Sequence, residues 1–117
     1  MAASRRSLLG LGLLVLAISG GSQWLYGHRE AQLGEALAAK AMPGDIRVLS
    51  SESCDYCTIA SSWLRQHRVP YEECVVEHDA KCAATFNALQ APGTPVILVR
   101  GQPQLGFDPA RILGALG

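Results

Sequence analysis

Cys54-Asp55-Tyr56-Cys57 stands between a β-branched apolar run, Ile46 to Leu49, and a segment in which Ile59, Ala60, Trp63 and Leu64 recur at three- and four-residue spacing. A C-x-x-C pair at a strand-to-helix junction constrains this chain more than any other feature in it. Sulfurs in the first turn of a helix lie among free N–H groups at the positive end of the dipole, and both favour a thiolate. The two-residue spacing lets Cys57 reach Cys54 without unwinding the helix, so an attacking thiolate and a resolving thiol share one site.

The elements around this pair follow from pattern and punctuation. Ile46 to Leu49 reads as a buried strand, and a helix runs from Cys57 to about His67 with Arg65 and His67 in its last turn. Val69-Pro70 stops that helix, and Tyr71 to Val76 forms a second strand. Asp79 caps a helix over Ala80 to Leu89, which the Ala91-Pro92-Gly93-Thr94-Pro95 turn closes. Val96 to Val99 is the most apolar strand, Arg100-Gly101-Gln102 turns, and Gln104 to Phe107 returns as a fourth strand. Asp108 then caps a last helix with Pro109 at its first position. The order βαβαββα requires a mixed sheet, with the first two strands parallel and the last two antiparallel.

Charge removes several function classes. Ten Lys and Arg balance ten Asp and Glu in the 117 residues, so no net field recruits nucleic acid, and none is expected as a partner. The balance conceals a mildly basic segment before Pro43-Gly44, with four basic and two acidic residues, and a mildly acidic body after it, with six and eight. That body, residues 45–117, is small enough for a covalent staple to matter.

The first 26 residues read as a targeting segment. Arg5 and Arg6 precede an unbroken apolar or Gly run from Leu8 to Ile18. Eleven residues are short for a bilayer span of roughly 20 and usual for the apolar region of a signal peptide. Ala17-Ile18-Ser19 supplies small residues for cleavage. Extension to Trp24 and Tyr26 as interfacial aromatics would instead make 8–26 an uncleaved anchor, and both readings stay open. The paired arginines also fit a twin-arginine export signal. Either way the positive-inside rule sends the body across the membrane, which places it in a bacterial periplasm, soluble or anchored. Residues 27–44 are expected to be a helical spacer, with Leu33, Leu37 and Ala41 at four-residue intervals, solvated and lifting the body away from the membrane.

The run from Ile46 to Leu116 resembles the glutaredoxins and, more broadly, the thioredoxin fold. Cys54-Asp55-Tyr56-Cys57 after the first strand, Gly93-Thr94-Pro95-Val96 before the third, and Gly106-Phe107-Asp108-Pro109 before the last helix carry the likeness, in the family's order. The resemblance implies an α/β, thioredoxin-like fold of glutaredoxin type, a four-stranded mixed sheet flanked by helices. It implies that Cys54 is the nucleophile and Cys57 the resolving thiol. It also implies that Thr94-Pro95 is cis and lies beside the sulfurs, and that Tyr56, Thr94, Pro95, Gly106, Phe107 and Asp108 bind substrate. The expected function is exported thiol-disulfide exchange on protein or glutathione disulfides by a monomer with no resident cofactor, glutathione serving as a co-substrate. Two positions depart from the family pattern. Asp55 replaces a common Pro, and Glu52 and Ser53 stand where a Lys would meet the glycine carboxylate of glutathione. Taken on their own, Pro95 could simply open a strand, Asp108 could be only an N-cap, and Gly106 could only relieve a turn.

Cys74 falls in the second strand and Cys82 in the first turns of the next helix. In an exported protein the pair is expected to form a structural disulfide. Two buried free thiols are one alternative, and a Cys74/His78/Cys82 metal site is another. The competing function is a non-enzymatic metal-binding or redox-sensing module, against which the unequal Cys spacings argue.

Overall fold

The computed structural model describes residues 4–117, so the first three residues of the expected leader lie outside the described residues. The chain divides into two compact units, one ending at Gln32 and one running from Leu33 to Gly117. A single helix, α1 (Arg5–Lys40), contributes to both. The expected change from leader to spacer near residue 27 is not marked by a break. Gly27 lowers helix propensity by about 1 kcal/mol, but only Pro or capping chemistry would end the helix there.

In the first unit the apolar side chains from Leu8 to Tyr26 are exposed, Leu16 by 70%. They have no core in which to bury. α1 is long and apolar enough to cross a membrane, which is compatible with a signal peptide or an anchor.

The second unit is built on a four-stranded sheet of order β2-β1-β3-β4, comprising β1 (Ile46–Ser50), β2 (Glu72–Val75), β3 (Val96–Val99) and β4 (Gln102–Leu105). β1 pairs parallel with β2 and antiparallel with β3, which pairs antiparallel with β4. The helices are α2 (Asp55–Gln66), α3 (Ala80–Ala88) and α4 (Pro109–Leu116). Strand alternation divides the core into two faces. Ile46, Val48, Ile97 and Val99 pack with Leu64 of α2 and with Ile112 and Leu116 of α4. Leu49 and Val96 pack with Cys82 of α3, and Phe86 and Leu89 complete that side.

Two expectations need correction. The residues after Leu33 are not a solvated spacer. Leu37 is fully buried and Ala41 nearly so, both within the larger core cluster, and Gly34 lies so close to His67 that a Cβ there would overlap the imidazole. The four-residue spacing of Leu33, Leu37 and Ala41 therefore marks a core-facing stripe. The fourth strand also begins two residues earlier than expected, at Gln102, and takes in Pro103. Arg100 and Gly101 both take positive φ, 49° and 84°, which closes a two-residue hairpin with Val99 opposite Gln102. In that register Leu98–Pro103 is a non-hydrogen-bonded pair, so the nitrogen of Pro103 faces the open edge of β4, where a missing N–H is harmless.

The hairpin is held from below. Arg100 N–H donates to the Asp45 carbonyl at 2.7 Å, and Arg100 Nε lies 3.4 Å from the Asp45 carboxylate. That carboxylate also accepts from the Met42 N–H at 2.9 Å. The Met42 bond first, and Arg100 after it, hold the Asp45 carboxyl below the usual carboxylate range.

Two outcomes test these packings. Leu37→Ala should cost about 2–5 kcal/mol in denaturant unfolding of the purified protein, whereas a solvated spacer would lose almost nothing. Because the folded Asp45 pKa lies below its unfolded value, its contribution is present above about pH 4 and is lost as pH falls through the folded pKa. Asp45→Asn should therefore lower the thermal midpoint at pH 7, and the gap from the parent protein should close on acidification.

Candidate active site

β1 delivers the chain to Cys54, which is the N-cap of α2 with extended backbone, φ −119° and ψ 102°. Its Sγ occupies the place an oxygen usually takes in such caps and accepts the Cys57 N–H at 3.1 Å. The helix thus begins at Asp55, two residues earlier than expected, with both sulfurs in its first turn. Cys54 and Cys57 are joined by a disulfide, with 5.2 Å between their Cα atoms. Cys54 is half-buried, whereas Cys57 is only 4% exposed. Of the two sulfurs, that of Cys54 is therefore the more accessible from solvent.

Five of the six residues expected to bind substrate line one cleft of about 500 Å³: Tyr56, Thr94, Pro95, Gly106 and Phe107. Ile59, absent from the sequence expectation, completes it. Its position three residues after Tyr56 on α2 was the available signal. Tyr56 is 73% exposed, so the cleft presents a broad apolar wall. The Thr94–Pro95 peptide is cis. Ser51 and Thr94 share a hydroxyl–hydroxyl hydrogen bond of 2.8 Å, which ties the loop before Cys54 to the loop before β3. Gly106 N–H donates to the Pro95 carbonyl at 3.0 Å, with Gly106 at φ 74°, a conformation glycine adopts freely. Asp108 adjoins the cleft without lining it. Its Oδ1 accepts the N–H groups of Ala110 and Arg111, at 3.1 and 3.3 Å, and so caps α4.

The acidic residues near the pair are disposed differently from one another. Glu52 is ion-paired with His78, while Asp55 stays exposed in the first turn of α2.

Cys74 and Cys82 form the second disulfide, with Cα atoms 6.1 Å apart, inside the range such bonds span. Cys74 lies opposite Leu49 in the β1–β2 ladder, and Cys82 is fully buried where Asp79 caps α3 through the N–H groups of Lys81 and Cys82. With the two sulfurs bonded to each other, neither the free-thiol alternative nor the Cys74/His78/Cys82 ligand set describes this structure. Among the described residues no three His, Cys, Asp or Glu side chains are grouped to hold a metal ion.

The order of elements, the C-x-x-C cap and the cleft together invite comparison with known proteins. Residues 46–103 match the model of the glutaredoxin family. No curated protein sequence matches significantly. Among solved structures, the thioredoxin-like protein BC3987 aligns at 25% identity over 60% of this chain and 97% of its own, with TM-score 0.52. A single-site mutant of that protein aligns at 26% over 62% and 95%, with TM-score 0.55. A glutaredoxin from Archaeoglobus fulgidus matches in fold at 12% identity, covering 62% of this chain and 85% of its own, with TM-score 0.50. A buckwheat glutaredoxin–glutathione complex matches at 16% over 76% and 88%, also at 0.50. The mixed sheet flanked by helices is thus the thioredoxin-like, glutaredoxin-type fold. The match to that family's model around an intact C-x-x-C pair supports thiol redox function.

Proposed function

We propose that this glutaredoxin-like chain is an exported thiol-disulfide oxidoreductase that acts through Cys54 and Cys57 on protein or glutathione disulfides. The observation that carries the reading is the asymmetry of the pair. Cys54 is reachable and capped onto the helix N-terminus, whereas Cys57 is buried within bonding distance behind it. The Cys54 thiolate attacks a substrate disulfide and forms a mixed disulfide, which Cys57 resolves. Tyr56, Ile59, Thr94, Pro95, Gly106 and Phe107 would hold the segment flanking the substrate sulfur, and Asp108 would bind at the end of the cleft while it caps α4. No resident cofactor is required, and glutathione would enter as a co-substrate.

Export rests on Arg5 and Arg6 followed by the apolar stretch of α1, and the working location is the bacterial periplasm, either free after cleavage or anchored through residues 8–26. Cleavage near Ser19 would leave the core residues Leu37 and Ala41 in place. The second disulfide would then be structural. It joins β2 to α3 beside the smaller core cluster, in an oxidising compartment.

Two expectations test the roles. Cys54→Ser should abolish exchange with a disulfide substrate, and Cys57→Ser should accumulate mixed disulfides that non-reducing electrophoresis detects; activity in Cys54→Ser alone would reverse the assignment. The Cys74→Ala/Cys82→Ala protein should lose about 2–3 kcal/mol of stability, as expected for a short closed loop, yet keep turnover. Lost turnover at unchanged stability would make this pair a redox relay.

A further inference from the structure

The face of α2 that lines the apolar cleft continues past it. Tyr56, Ile59, Trp63 and His67 follow one another at three- and four-residue spacing, so they form one stripe that runs from the first turn of α2 to its C-cap. Tyr56 and Ile59 line the cleft, and Trp63 does not. Instead the Trp63 indole meets the Phe107 ring edge-on, with centroids 5.6 Å apart at 63°, and Phe107 does line the cleft. The same indole stacks on the His67 imidazole, with centroids 4.0 Å apart at 31°. His67 is itself fixed. Its Nδ1 lies 2.9 Å from the Trp63 carbonyl, which can only accept, so Nδ1 carries the proton. Against the imidazole lies the buried Gly34 of α1, where a Cβ would stand 2.1 Å from His67 Cδ2. Only glycine lets α1 come this close.

Phe107 is the part of the cleft that such packing can set. Tyr56 and Ile59 are exposed, whereas Phe107 is half-buried and packs against the larger core cluster together with Trp63. It stands in the short link between the end of β4 at Leu105 and the start of α4 at Pro109. In such a link no strand alternation orients a side chain, and its neighbours do so.

We propose that Trp63 is a positioning residue of the substrate cleft: backed by His67 and Gly34, its indole fixes the Phe107 ring and so the slot that this ring forms with Tyr56 and Ile59. The inference rests on the dithiol function and names the substrates that the slot favours. These are disulfides in which an apolar side chain flanks the cysteine, so that the slot takes up the side chain while the sulfur reaches Cys54. Trp63 touches neither the substrate nor the reacting sulfurs, and acts through Phe107. A small disulfide with no flanking chain does not use the slot. The last turns of α1 thus support the cleft as well as the core, because Gly34 sets where His67 can stand.

Stopped-flow reaction of the reduced full-length protein with two mixed disulfides tests this. One is a short peptide with Phe beside a cysteine bonded to 5-thio-2-nitrobenzoate, and the other is the same derivative of 2-mercaptoethanol. Both release the same chromophore, so they differ only in the flanking chain. Trp63→Leu should raise the half-saturating peptide concentration roughly two- to tenfold, the range that one aromatic pair is worth. The limiting rate with the peptide and the rate with the mercaptoethanol derivative should stay unchanged. Trp63→Phe, which keeps an aromatic ring against Phe107, should restore most of the loss. Gly34→Ala should shift the peptide concentration in the same direction, since His67 must move. With Trp24→Phe as background Trp63 is the sole tryptophan, and its emission should change in Gly34→Ala. An unchanged peptide half-saturation in folded Trp63→Leu overturns the proposal, and so does an equal slowing of both substrates. Should Trp63→Leu fail to fold, His67→Ala carries the test with the same expected and contrary results. A parent protein that reacts with both disulfides alike overturns the slot and leaves the dithiol function standing, whereas no fast release from either counts against that function itself.

Discussion

The Cys57 N–H bonded to Cys54 Sγ is the contact on which the working end of the domain depends, and the sheet fixes where it forms. β1 lies between β2 and β3, so the loop leaving it is fastened on both sides. Val76 N–H donates to the Ser50 carbonyl at 2.9 Å from the β2 side, and Thr94 meets Ser51 from the β3 side. Only three residues, Ser51, Glu52 and Ser53, separate strand from cap. A connection that short and fastened at both flanks leaves the N-cap sulfur little freedom. Preorganisation of this kind keeps two sulfurs within reach whether or not they are bonded.

The same central strand divides the core unequally. One face collects side chains from α1, α2 and α4, and among the described residues the other has only Leu49, Cys82 and Val96 fully buried. On the thinner face a covalent link joins β2 to α3, in a domain with little apolar area to bury there. The disulfide position thus follows from the sheet order: β2 is an edge strand, and α3 is the helix that covers that side.

Much of this was legible in the sequence because local chemistry and global fold agree there. The βαβαββα order, the mixed sheet, and the caps at Asp79 and Asp108-Pro109 each rest on short-range signals that tertiary packing left intact. The start of β4 was not legible, because a proline sits in a strand wherever its nitrogen faces away from a neighbour, and register decides that. A polar cavity of about 270 Å³ on the β2 side of α2, lined among others by Ser50, Cys57, Ser61 and Glu73, was not visible for a related reason. Ser50 at a strand end reads as the start of a loop. Only the β1–β2 register sets Glu73 and Ser50 on the side of α2. Ile59 and Tyr56 show the converse, since helical spacing alone places them together.

The end of α1 shows how a boundary can mislead. Pro43-Gly44 looks like a domain limit, and Gly44 does turn the chain at φ 90°. Yet a turn marks a change of direction, and the residues before it still belong to the core. Leu37 and Ala41 pack with Ile46, Val99 and Leu116, so the last turns of α1 close the α2–α4 face. The apolar N-terminal segment and the folded domain therefore share one helix, and the division lies near Leu33, within it. A cut that leaves the domain intact would therefore have to fall before Leu33, whereas one at Pro43-Gly44 would remove part of the core.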